Sequence, residues 1–167
     1  MSLSQHCILN HQDINHMIRR MAYKIYEANV NRDELILSGI LSNGFILAKK
    51  IKDHLDQISE INGILCDVKI DKKNPTEAIE TSLHKDDYSN KSVVLIDDVL
   101  HSGTTLIYGV KHFLDVPLEQ FKTAVLVNRN HKKYPVKADF KGISLSTSLN
   151  EHIEVIFDKN DSKVLLV

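Results

Sequence analysis

The sequence predicts an α/β fold: a mostly parallel sheet flanked by helices. Three observations predict it. Short apolar runs that suit buried strands alternate with stretches of helical spacing. One of those runs, Val93-Val94-Leu95-Ile96, is β-branched and carries no polar residue, as a strand covered on both faces requires. No internal repeat or Pro/Gly-rich linker divides the 167 residues, so a single domain spanning 1–167 is expected.

Taken in order, Ile14, Met17, Ile18, Met21, Ala22 and Ile25 fall on one face of a helix between His11 and Asn29. Leu35 to Ile40 is a buried strand, and Asn43-Gly44 punctuates the chain after it. Phe45, Ile46, Ala48, Ile51 and Leu55, with lysines between them, make a second helix. Ile64 to Ile70 suits a strand. Asp71 to Asn90 is polar, contains Asn74-Pro75, and reads as a long loop with a helical turn near Thr76–Ser82; a loop this long suits a lid. Val93 to Ile96 is the next strand, followed by a small-residue loop and a helix from Thr105 to about Leu114. Phe121 to Val127 is a strand, 128–149 reads as irregular, and Ile153–Phe157 and Val164–Val167 are short strands.

Composition excludes several classes. With 21 basic and 22 acidic side chains the net charge is −1, so nothing overall advertises nucleic acid or membranes. The two cysteines, Cys7 and Cys66, form no CxxC pair, which points to a reducing compartment and a cytoplasmic location. The opening MSLSQHCILNHQD lacks the pattern of a signal peptide. Nine histidines invite a metal reading, but His11 and His16 are badly spaced for helical ligands and no HExxH occurs.

The sharpest chemistry lies at Asp97-Asp98-Val99-Leu100-His101-Ser102-Gly103-Thr104-Thr105, directly after the apolar strand. The strand delivers two adjacent carboxylates to the sheet edge where α/β crevices open. Such a pair accepts hydrogen bonds from the two hydroxyls of a ribose. The loop exposes successive backbone N–H groups at a helix N-terminus, and its hydroxyls add donors, which together suit a phosphate. A sugar diol and a phosphate on one unit describe a ribose 5-phosphate. Walker and Rossmann glycine patterns are both absent.

This stretch resembles the motif by which type I phosphoribosyltransferases bind 5-phosphoribosyl 1-diphosphate (PRPP). Ser38-Gly39-Ile40-Leu41-Ser42-Asn43-Gly44 resembles that family's pyrophosphate loop. Val125 to His131, Tyr134 to Gly142 and Ser146-Thr147-Ser148 resemble one branch, the pyrimidine operon regulators that are also uracil phosphoribosyltransferases. The likeness spans about Asp13 to Asp158, apart from Asp71–Ser89.

The resemblance implies the type I phosphoribosyltransferase fold with a small hood, mainly 128–150. It implies transfer of phosphoribosyl from PRPP to a free nucleobase, a pyrimidine and specifically uracil in this branch, with release of diphosphate. Asp97, Asp98 and His101 would be catalytic. His101, Ser102, Gly103, Thr104 and Thr105 would hold the 5-phosphate. Leu41, Ser42, Asn43 and Gly44 would hold the diphosphate, with a non-proline cis peptide near Ser42-Asn43. Arg129, Phe140 and Lys141 would form the hood at the base. Mg²⁺ would be served by Asp97, Asp98 and Asp158. A homodimer and no membrane are expected. RNA contact through the local lysines is the less favoured alternative, as are purine use and nucleotide sensing without turnover.

This chain also departs from the branch. Asn43 stands where an arginine is usual, the segment after Ile70 is shorter and lacks the branch's arginine, and His101 replaces an aromatic residue. Lys69, Lys72 and Lys73 are the cations available to compensate.

Overall fold

The computed structural model describes residues 5–167. The first four residues, on which the signal-peptide expectation partly falls, lie outside the described part. Two sheets form. The larger has strand order β4-β3-β2-β5-β6-β7, where β2 is Glu34–Ile40, β3 Asn62–Lys69, β4 Glu80–Thr81, β5 Ser92–Leu100, β6 Gln120–Arg129 and β7 Phe140–Leu145. All neighbours in it are parallel except β4, which runs antiparallel to β3. The smaller sheet is antiparallel, ordered β1-β9-β8, from β1 (His6–Leu9), β8 (Ile153–Ile156) and β9 (Lys163–Leu166).

Alternation along the strands splits the core. Leu35, Leu37, Val94 and Ile96 pack with helices α1 (His11–Glu27) and α2 (Asn43–Ile58). Ile36, Val93 and Leu95 pack on the other face with α4 (Thr104–Phe113). The helix starts are locally encoded: Asn10 and Asp13 form a reciprocal capping box at the head of α1. From β2 the chain crosses through α2 to β3 on one side, then returns to β5 on the other. A crevice is therefore left between the carboxyl ends of β2 and β5, the topological switch point at which α/β proteins bind ligands.

Four expectations are corrected. First, 128–149 is not irregular: β7 pairs in parallel with β6, because the Thr123 hydroxyl donates to the Lys137 carbonyl at 2.5 Å and the Asp139 carboxylate accepts the Thr123 N–H at 2.9 Å, aligning the incoming chain. Second, the small second layer is built from the two ends of the chain, β1, β8 and β9, and not mainly from 128–150. Third, the helical turn after β3 is α3 (Lys85–Tyr88), not Thr76–Ser82. Tyr88 anchors that turn, fully buried against Phe113 at 4.9 Å between ring centroids. Fourth, β5 extends past Ile96 to Leu100, so the acidic pair lies within the strand.

Among the described residues no helix is long and apolar enough to cross a membrane. Cys7 and Cys66 are both free thiols.

Candidate active site at the switch point

A cavity of about 370 Å³ opens at the carboxyl ends of the strands. Its floor is Asp97 and Asp98 from β5. One wall is the loop and first turn of α4, His101 to Leu106. Asn43 from the head of α2 and Lys72 from the segment after β3 complete one side, and Ile153, Glu154 and Val155 of β8 form the roof.

The acids are locally braced. Asp97 accepts the N–H of Asp98 at 2.9 Å, and Asp98 accepts the N–H of Val99 at 2.9 Å. The second oxygen of Asp98 accepts the side-chain amide of Asn43 at 2.9 Å. Asp97 is only 3% exposed. Burial first, and then the neighbouring charge of Asp98, push its carboxyl up to about 8, while Lys72 pulls it down. A buried carboxyl in this state takes a proton or a cation readily. Adjacent hard oxygen donors suit a magnesium-sized ion that keeps several ligands from its substrate.

Two glycines bring the elements close. A Cβ on Gly44 would stand 2.6 Å from the Ile96 carbonyl and 3.2 Å from Oδ1 of Asp97, so only glycine lets α2 start against β5 here. Gly103 has φ +85° and precedes α4, turning the backbone so that the helix head faces the cavity. Above it, the N–H groups of Lys133 and Tyr134 reach the Ser102 carbonyl at 2.7 and 3.1 Å. The hydroxyls of Ser102 and Thr104 are 2.8 Å apart.

His101 is held below its ordinary value by burial first and then by the Arg129 charge, so it is a neutral imidazole near pH 7. Arg129 itself is 7% exposed and spends its guanidinium on the Thr147 hydroxyl at 2.5 Å and the Ser148 carbonyl at 2.8 Å. It pins the 146–148 segment beside the cavity and does not line it.

Of the residues singled out in the sequence, the cavity unites Asn43, Asp97, Asp98, His101, Ser102, Gly103, Thr104 and Thr105. Leu41, Ser42 and Gly44 sit beside it at the head of α2, with a cis peptide bond at Leu41-Ser42, one position earlier than expected. Phe140 is displaced from its expected role: it begins β7, 8% exposed, in the core with α1. Lys141, next on β7, is exposed and does not line the cavity. Asp158 is also displaced. It is exposed, and its oxygen accepts the Asn160 N–H at 3.1 Å in the turn before β9. Among the described residues no group of three His, Cys, Asp or Glu side chains could by itself hold a metal. His11, weighed as a ligand in the sequence, accepts the Ser162 N–H at 3.1 Å instead.

The roof was missed as a site. The strand Ile153–Phe157 was legible, but nothing local in its sequence says that its edge overhangs Asp98.

Comparison with known proteins bears on the family and the fold. The phosphoribosyl transferase domain model matches residues 4–163. The bifunctional protein PyrR of Fusobacterium nucleatum is 33% identical, over 98% of this chain and 97% of its own. That of Pediococcus pentosaceus is 32% identical, over 96% and 97%. In fold, the hypoxanthine phosphoribosyltransferase of Trypanosoma cruzi superimposes with a TM-score of 0.77 over 95% of this chain and 94% of that one, at 17% identity. A hypoxanthine-guanine phosphoribosyltransferase of Bacillus anthracis gives 0.73, over 89% and 86%, at 17% identity. The chain belongs to the phosphoribosyl transferase family: it is a phosphoribosyltransferase of the type I fold.

Proposed function

We propose that this enzyme transfers phosphoribosyl from PRPP to a pyrimidine, uracil, giving the nucleoside monophosphate and diphosphate. One observation carries the reading: an acidic pair and a hydroxyl-rich helix head face each other across a single cavity. Asp97 and Asp98 accept the ribose hydroxyls. The backbone N–H groups and hydroxyls from His101 to Thr105 bind the 5-phosphate at the positive end of α4. Backbone N–H groups at Leu41 to Gly44 receive the diphosphate at the head of α2. Lys72, among the described residues the one lysine or arginine lining the cavity, lies on the same side.

The base lies against the apolar surface of Leu100, Ile153 and Val155, and neutral His101 stands beside it to accept or return a proton. The donor set fits Mg²⁺ through Asp97 and Asp98, and not through Asp158. When bound, the ion would offset the charge that develops on the departing diphosphate. The chain's own contribution is to orient C1 of the ribose toward the base and, beneath β8, to keep water from it.

Uracil is favoured because the similar proteins in Fusobacterium and Pediococcus carry the name PyrR at about one-third identity. The test is conversion of uracil, hypoxanthine, guanine, xanthine and adenine with PRPP and Mg²⁺. Uridine monophosphate is the expected product from uracil, and turnover of a purine alone would overturn the pyrimidine assignment.

A second reading is an RNA-binding regulator on the same fold. It draws on Lys132, Lys133, Lys137 and Lys141, all exposed along one segment. A salt-dependent RNA shift, reduced when these lysines are changed to Gln, would support it. A homodimer is part of the proposal, to be checked by the mass in solution.

A further inference from the structure

Asn43 joins two parts of the molecule that the chain keeps far apart. Its Nδ2 donates to Oδ2 of Asp98 at 2.9 Å and to the Val155 carbonyl at 2.9 Å. A side-chain amide has two N–H donors, and both are spent here. The partners, a carboxylate and a carbonyl, only accept, which fixes the end of the amide that faces them. Asp98 belongs to the large sheet and Val155 to the small one.

β8 is the edge strand of the small sheet, so one row of its backbone groups faces away from β9. Among the described residues it receives no other side-chain hydrogen bond. An arginine at this position would face the cavity with a charge. Asparagine instead reaches both acceptors with a short, neutral arm.

We infer that Asn43 is a positioning residue that holds the roof strand β8 in register with Asp98. The sugar subsite and the base subsite are thereby built relative to each other. This rests on the proposed placement of ribose at Asp98 and base beneath β8. The diphosphate then meets the backbone at the head of α2, because the Asn43 donors are already taken.

The test uses Asn43→Ala and Asn43→Gln in the whole chain, with two measurements. The first is amide hydrogen exchange in the ligand-free protein, comparing Glu154 and Ile156 of β8, whose N–H groups face β9, with Val93 to Leu95 of β5. In Asn43→Ala the β8 amides should exchange roughly tenfold faster while the β5 amides are unchanged. The second is a KM split for whichever base is turned over. The base KM should rise roughly tenfold and the PRPP KM much less. Asn43→Gln keeps two donors on a longer arm and should recover part of both effects.

Unchanged β8 exchange overturns the inference. So does β5 exchange rising in step with β8, which would make the bond a matter of global stability. A rise confined to the PRPP KM would make Asn43 a diphosphate ligand. The exchange measurement needs no substrate, so absence of turnover would count against the proposed reaction and not against the strut.

Discussion

The Nζ of Lys72 stands 3.7 Å from Oδ1 of Asp97, a half-exposed cation over a buried acid. The Asp97 carboxyl is 3% exposed and rises from 3.8 to about 8, by burial first and Asp98 second. The sign of its effect on stability follows. Below about pH 4 the proton is on in both folded and unfolded chains. Between that point and about pH 8 the folded chain holds a proton that the unfolded chain has released, so stability falls as pH rises. Asp97→Asn should therefore match the parent at pH 4 and gain on it up to pH 8, with a slope of at most about 1.4 kcal/mol per pH unit. Urea midpoints of the two ligand-free proteins across this range provide the check. Curves that stay parallel would mean Asp97 is not held protonated.

Asp98→Asn keeps the shape and removes the charge. Its single amide oxygen can keep the Val99 N–H or the Asn43 amide but not both, so the fold should hold with one of these bonds lost. Ribose hydroxyls would lose a charged acceptor worth about 1.5–3 kcal/mol. PRPP affinity in calorimetry should fall by roughly 10–100-fold. An unchanged titration would remove Asp98 from the sugar subsite.

Which features were legible depends on how local their cause is. The acidic pair and the Ser102 to Thr105 loop are consecutive in sequence, so strand, turn and helix head could be read together. β7 was hidden because Phe140 and Ile143 flank Gly142 without clean alternation. Its glycine is there because a Cβ would stand 2.6 Å from the Leu126 carbonyl of the neighbouring strand, which no local pattern reveals. β1 was hidden because His6 to Leu9 gains its strand character from pairing with β9 at the far end of the chain. The role of Asn43 depends on a carbonyl 112 positions away. Tyr88 lay in a polar stretch, and its burial comes from Phe113 of α4.

Tyr88→Phe should not cost stability. The ring is fully buried, and among the described residues its hydroxyl has no hydrogen-bond partner. Burial already pushes its ionisation up, as expected for an unpaired phenol in an apolar site. Removing the hydroxyl leaves the packing on Phe113 intact and should be neutral or stabilising by about 0.5–1 kcal/mol. A loss above about 1 kcal/mol in denaturant would show that the hydroxyl is satisfied in solution.

His101→Phe should change the choice of base more than the grip on PRPP. The imidazole is half-buried and neutral near pH 7, and the proposed phosphate loop would contribute backbone groups that the substitution leaves in place. The ratio of kcat/KM values across the base panel should shift, while the Kd for PRPP stays within about threefold. Equal changes in both would place His101 in the phosphate subsite alone.

Gly103→Ala tests the proposed phosphate loop. At φ +85° a side chain costs about 1–2 kcal/mol, and the new Cβ would stand 2.6 Å from Cγ1 of Val136. The loop cannot easily relax upward, because the Ser102 carbonyl is held by the N–H groups of Lys133 and Tyr134. The strain should therefore turn the α4 head away from the cavity, lowering the melting temperature and weakening PRPP by more than about tenfold. Adding Val136→Ala removes the contact but not the backbone strain. The double variant should recover part of the stability and little of the PRPP affinity. Full recovery of both would show that the clash, and not the left-handed turn, sets the loop.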